Sequence, residues 1–128
     1  MTLESNGDLM EILKINSNLS LDIELEKKVI HSGDKQTIEF FLNDTSNNNK
    51  KLDTRIEGNI IYLSGMAESF SLNITSNQKY NYSWTINPKI QSYGTVLLEI
   101  NVVYNEISNV GNLSFYIDNS NKNEKDNH

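Results

Sequence analysis

The stretch Leu19-Ser20-Leu21-Asp22-Ile23-Glu24-Leu25-Glu26 alternates apolar and polar residues without a break. Successive side chains of an extended strand point to opposite faces, so this stretch sets four apolar residues on one face and the polar ones on the other. A helical pitch would scatter the same residues around its circumference. The reading is therefore a strand with one dry and one wet face, which needs neighbouring strands and a covering layer.

The same period recurs along the chain. After the turn His31-Ser32-Gly33-Asp34-Lys35, Ile38, Phe40 and Leu42 are in phase. Ile56, Gly58, Ile60 and Tyr62 mark a third strand, closed by Ser64-Gly65, and Phe70, Leu72 and Ile74 a fourth, closed by Thr75 to Lys79. Tyr80, Tyr82, Trp84 and Ile86 mark a fifth, stopped by Pro88, since proline cannot donate to a central ladder. Val96, Leu98, Ile100, Val102 and Tyr104 mark the sixth, and Leu113, Phe115 and Ile117 the seventh. Asn43 to Asp53 and Asn105 to Asn112 read as loops. The predicted fold is all-β: a two-sheet antiparallel β-sandwich of about seven strands. Composition agrees, with one alanine against 37 β-branched or aromatic residues. Residues 19–118 form the predicted domain. Residues 1–18 form an N-terminal segment read equally well as a short helix, capped by Asp8 with Glu11 behind it, or as an extra strand carrying Leu9, Leu13 and Ile15. Residues 119–128 read as a disordered polar tail.

The chain of 128 residues and 14.6 kDa fits one domain, large enough to bury a core without a disulfide or metal staple. It has no cysteine, which excludes thiolate metal sites and cysteine nucleophiles. Leu, Ile, Val and Phe total 36 residues, above the ~20% floor below which disorder is expected. With a formal charge of −6 and Arg55 as its one arginine, the chain lacks a basic footprint, so nucleic acid is not an expected partner. No apolar run approaches the ~20 residues of a membrane-spanning helix, so no membrane insertion is expected. Met1-Thr2-Leu3-Glu4-Ser5 shows no signal peptide.

Three motifs in order carry a resemblance: Gly33-Asp34-Lys35-Gln36-Thr37-Ile38, then Tyr82-Ser83-Trp84-Thr85-Ile86, then the closing Gly111-Asn112-Leu113-Ser114-Phe115. Between the first two lies Ile56 to Tyr62 with Ser64-Gly65, and Tyr93-Gly94-Thr95 precedes the long strand. This order, over residues 19–118, resembles the immunoglobulin-like repeats of archaeal surface proteins, which are similar to macroglobulin-type and bacterial Ig-like modules. Asn77-Gln78-Lys79 and Tyr93-Gly94 stand where that family often has Gly-Lys and Pro-Gly turns. The resemblance implies an immunoglobulin-like sandwich in a cell-surface or extracellular protein, acting as a structural spacer or as an adhesion and protein-interaction domain. It implies no catalytic residues and no cofactor, with neighbouring domains or other surface proteins as partners. A carbohydrate-binding module, or an accessory domain of an extracellular enzyme, is the alternative, with Tyr93 and Tyr116 as stacking candidates for glycans.

Trp84 with Tyr80 and Tyr82 offers an aromatic platform for sugar stacking, but the three share the phase of Ile86, which assigns them to the core, with the Trp84 N–H bound to backbone. Asp22, Glu24 and Glu26 are spaced nearly 7 Å apart along one face, too far to chelate one ion without loops, and read as a solvated face. His31 and His128 lack the further ligands that a zinc site needs. Five Asn-x-Ser/Thr sequons occur, at Asn18, Asn43, Asn73, Asn81 and Asn112; if the chain is secreted, Asn43 is the best glycosylation acceptor because it opens the longest loop. The informative anomaly is apolar residues out of phase. Phe41, Leu97, Val103 and Tyr116, with either Ile61 or Leu63, point away from the core and form the candidate contact face.

Overall fold

The computed structural model describes residues 9–46, 50–86 and 93–118, and all regular structure among them is strand. In order these are β1 (Met10–Asn16), β2 (Leu19–Leu25), β3 (Val29–His31), β4 (Lys35–Asp44), β5 (Asp53–Ile61), β6 (Ala67–Thr75), β7 (Lys79–Thr85), β8 (Gly94–Tyr104) and β9 (Ile107–Asp118). They make two sheets, ordered β1-β2-β4-β7 and β3-β9-β8-β5-β6. The all-β, two-sheet expectation holds, with two corrections. There are nine strands among the described residues, and β3 runs parallel to β9 while every other neighbour is antiparallel. Three residues are too short to show a period, so β3 was invisible to pattern reading.

Residues 10–16, where helix and strand were both open, form β1 and extend the first sheet beside β2. The chain before residue 9 and the predicted tail 119–128 lie outside the described residues. Two predicted loops are shorter than expected. Strand β4 runs on to Asp44, and β9 begins at Ile107, directly after a two-residue turn in which Asn105 and Glu106 have φ of 52° and 65°. Positive φ at both central positions is the type I′ hairpin geometry, whose twist matches the flanking strands. Asn-Gly advertises that turn; Asn-Glu does not.

The in-phase residues of both sheets meet in one core, with Leu21, Ile23, Ile38 and Phe40 from the first facing Ile56, Ile60, Leu98 and Ile100 from the second. Trp84 is buried there, but its Nε1–H donates to the Tyr62 hydroxyl at 3.3 Å rather than to backbone. The bond ties β7 of one sheet to the end of β5 in the other. Burial pushes the Tyr62 phenol up to about 12, the Trp84 hydrogen bond opposes that rise, and the nearby Glu68 adds to it. Gln36 is fully buried and satisfied: its Nε2 donates to the Lys27 carbonyl at 2.8 Å, while its Oε1 accepts the Lys27 and Thr37 N–H groups. Thr54 Oγ1 donates to the Val103 carbonyl. Gly58 is also dictated by packing, because a Cβ there would overlap the Phe70 ring, which lies over its backbone.

Two outcomes follow. Tyr62→Phe leaves the Trp84 N–H without its acceptor and lowers stability at neutral pH by about 1 kcal/mol. The raised phenol pKa means the unfolded chain ionises first, so this group's stabilisation is complete below about pH 10 and lost as pH rises towards 12. Denaturant melts across that range should show a shallower alkaline decline in Tyr62→Phe than in the parent. Gly58→Ala must displace Phe70 and should cost about 1–3 kcal/mol in the same melts, whereas an exposed control such as Ser69→Ala should change little.

Candidate functional site

With the dry faces turned together, each sheet presents a wet face, and the two differ. On the first sheet the register aligns Met10, Glu24, Glu39 and Asn81 in one row and Ile12, Asp22, Phe41 and Lys79 in the next. Asp22, Glu24 and Glu39 form an acidic strip answered by Lys79, whose Nζ lies 3.4 Å from a Glu39 carboxylate oxygen. Partial burial raises the Asp22 pKa. A shallow dent here is lined by Glu24, Glu26, Thr37, Glu39 and Asn81. Among the described residues, no three His, Cys, Asp or Glu side chains converge where they could hold a metal ion.

On the second sheet the outer rows read Val29, Tyr116, Thr95, then Ser114, Leu97, Ile61, Ala67, then Asn112, Glu99, Asn59, Ser69. The first two rows are apolar or small. Leu63 and Met66, in the β5–β6 turn, and Tyr93, just before β8, extend the same end. Val29, Leu97, Tyr116 and Met66 are each about half exposed and Leu63 is 68% exposed. Leu63 is held by packing on Gly94, where an added Cβ would come within 2.8 Å of its Cδ2. Leu97 and Tyr116 are diagonal neighbours on adjacent strands, within reach of a large side chain.

The predicted contact face is thus brought together only in part. Leu97 and Tyr116 meet, and both Ile61 and Leu63 join them rather than one. Val103 lies at the opposite end of the same sheet, half-buried, in register with Arg55, whose guanidinium pairs with Glu57 at 3.2 Å. Phe41 is half-buried on the other sheet, in register with Asp22 and Lys79. Phase tells which way a side chain points but not which sheet its strand joins. Val29 and Met66 were missed; Val29 gains its position only through the parallel pairing of β3.

Other candidates fall as follows. Asn43 does not open a loop: it sits within β4 opposite Ser20, and of the five sequon asparagines it is the only one not exposed. The hydroxyl of its sequon partner Thr45 donates to the Asn18 carbonyl at 3.2 Å. Tyr82 is half-buried, stacked on Phe70 at 4.0 Å between ring centroids and on Trp84 at 5.8 Å. That file of rings fills the gap between the edges β6 and β7 and is not a platform. His31 has Nδ1 at 3.7 Å from an Asp34 carboxylate oxygen and Nε2 at 3.9 Å from one of Asp118. His128 lies outside the described residues.

No family model matches the chain, and no curated protein matches it. Solved structures share its fold. One is the alkylpurine DNA glycosylase AlkC of Pseudomonas fluorescens, bound to DNA containing an abasic-site analogue. It is 15% identical with a TM-score of 0.55, over 88% of this chain and 31% of the glycosylase. Another is a DUF4785 family protein from Legionella pneumophila, 18% identical with a TM-score of 0.51, over 81% of this chain and 30% of that one. At such identities the likeness is one of fold, and the chain spans about a third of each. Neither is named as an immunoglobulin-like surface repeat. The expectation that nucleic acid is not a partner is corrected by the first of them: this fold occurs within a DNA-bound protein, so a low count of basic residues does not exclude that class.

Proposed function

We propose that the chain is an immunoglobulin-like β-sandwich module without catalytic activity, which works by protein contact through the apolar end of its second sheet. The observation that carries this reading is the grouping of Val29, Ile61, Leu63, Met66, Leu97 and Tyr116 at one end of an outer face. Single exposed apolar residues are ordinary, but a contiguous group marks a surface that is covered by something. The occupant in this reading is a neighbouring domain of a longer protein or another surface protein. The share of about a third that the fold takes in the solved chains supports a modular role. The cell-surface or extracellular setting, and the spacer or adhesion role, rest on the motif resemblance. A glycan-binding reading draws on one specific feature, that Tyr93 and Tyr116 are both exposed and flank this end.

The test is a photo-crosslinking residue placed at Leu97 in the native protein within its source cells, with Asn81 on the outer face of the other sheet as control. Protein adducts from position 97 and none from 81 are expected. Leu97→Asn combined with Tyr116→Ser should abolish association with the captured protein while changing the melting transition little, since both positions are exposed. Equal labelling from both positions would sink the apolar-end reading. Sugar or duplex DNA retained by the parent and lost in the double variant would replace the protein partner with that ligand.

A further inference from the structure

Each sheet has two edge strands, and an edge exposes unpaired backbone groups that invite another strand unless something blocks it. Edge β1 is blocked: its register slips between Lys14 and Asn16, and Glu11 turns inward over Gly111. Edge β3 has three residues. Edge β7 opens on Lys79. Edge β6, Ala67–Thr75, carries no such device. Its nine residues pair with β5 in unbroken register, contain no proline, glycine or basic residue, and include one charge, Glu68.

The direction of its free groups can be read from the flanking bonds. Tyr62 N–H donates to the Met66 carbonyl, and Ser76 N–H to the Leu52 carbonyl. In an antiparallel ladder hydrogen-bonded pairs alternate, so residues 68, 70, 72 and 74 bond to β5 while Ala67, Ser69, Ser71, Asn73 and Thr75 aim N–H and C=O outward. The Thr75 N–H fits this scheme, since it points away from β5 and is taken by the Tyr80 hydroxyl at 3.0 Å. Among the described residues, no strand or backbone bond covers Ser69, Ser71 and Asn73, which remain as an open edge.

We propose that a second copy of the chain occupies this edge, the two β6 strands pairing antiparallel about a two-fold axis at Ser71. The strand is complementary to itself in that register. Ser71 meets Ser71, Ser69 meets Asn73 and Phe70 meets Leu72, while Glu68, the one charge, meets Ile74 and not its own symmetry mate. The outer row is small and uncharged. The inner row brings Phe70 and Leu72, half-buried because no strand flanks β6, under cover from the partner. Reciprocal bonds at positions 69, 71 and 73 supply about six main-chain hydrogen bonds and join the two five-stranded sheets into one. This contact is separate from the apolar end and does not depend on it.

The test uses the exposed outer side chain of Ser71, at the proposed axis. Sedimentation velocity of the full chain over micromolar to millimolar concentrations should show a monomer–dimer equilibrium. Ser71→Lys alone, or Ser71→Glu alone, sets like charges opposite each other and should raise the dimer dissociation constant about tenfold or more. An equal mixture of the two variants should restore the dimer as a heterodimer. Unchanged melting transitions would show that both variants fold. A parent that stays monomeric overturns the proposal. So does a dimer indifferent to both charges, which would place the contact on β7 or at the apolar end. Failure of the mixture to recover overturns the two-fold register at Ser71.

Discussion

The dry faces of the two sheets cover each other, and the rest of the molecule follows from that. A half-apolar strand cannot leave its dry row in water, and a single sheet has nothing of its own to cover it. Residues such as Leu21 and Phe40 from one sheet and Ile56 and Ile100 from the other are essentially inaccessible. Register is therefore strongly specified, because a slip of one residue would carry every inward side chain to the solvent side. Once register is set, the outer rows and the edges have no freedom left either, and those are the surfaces through which such a chain meets other molecules.

Polar groups inside the core sit at its seams. Gln36 binds the linker after β2 to the start of β4, and the Trp84–Tyr62 bond joins the sheets. Ser76 and Leu52 exchange bonds where the chain enters β5 and leaves β6. Each of these groups would be costly if buried alone and contributes modestly when paired, so their effect is more on which arrangement forms than on how stable it is. The file of rings from Phe70 through Tyr82 and Trp84 to Phe115 closes the side where β6 and β7 face one another, and Gly58 is small so that the first ring can lie down.

Alternation made the strands legible in the sequence: every segment with three or more in-phase apolar residues from Leu19 onward is a strand, and Trp84 lies in the core as its phase required. The missing pieces are those that alternation does not encode. Strand β3 is short and exists through a parallel partner more than eighty residues away. The β8–β9 turn uses Asn-Glu in place of a turn dipeptide with glycine. The candidate face was half legible, because phase identifies outward residues while sheet membership decides which are neighbours. Phe41 and Leu97 are both out of phase and lie on different sheets. Charge misled in another way. A net charge of −6 describes a whole chain, whereas binding is a matter of local surface, and a DNA-bound protein contains the same fold.

The two outer faces have different means of staying apart from other strands and sheets. On the first, Asp22, Glu24 and Glu39 lie side by side and repel any similar surface, with Lys79 compensating only one of them. On the second, charges thin out toward the end formed by Tyr116 and Leu97, and β6 carries only Glu68, which faces inward and accepts a hydrogen bond from the Tyr62 hydroxyl. Selection against unwanted association places charge on exposed faces and edges. That protection is present on β1 and the first sheet and sparse on β6 and the apolar end. A chain that places Lys14, Glu11 and a bulge on one edge leaves β6 without them, and this asymmetry is what supports the proposal that contacts are made through the second sheet.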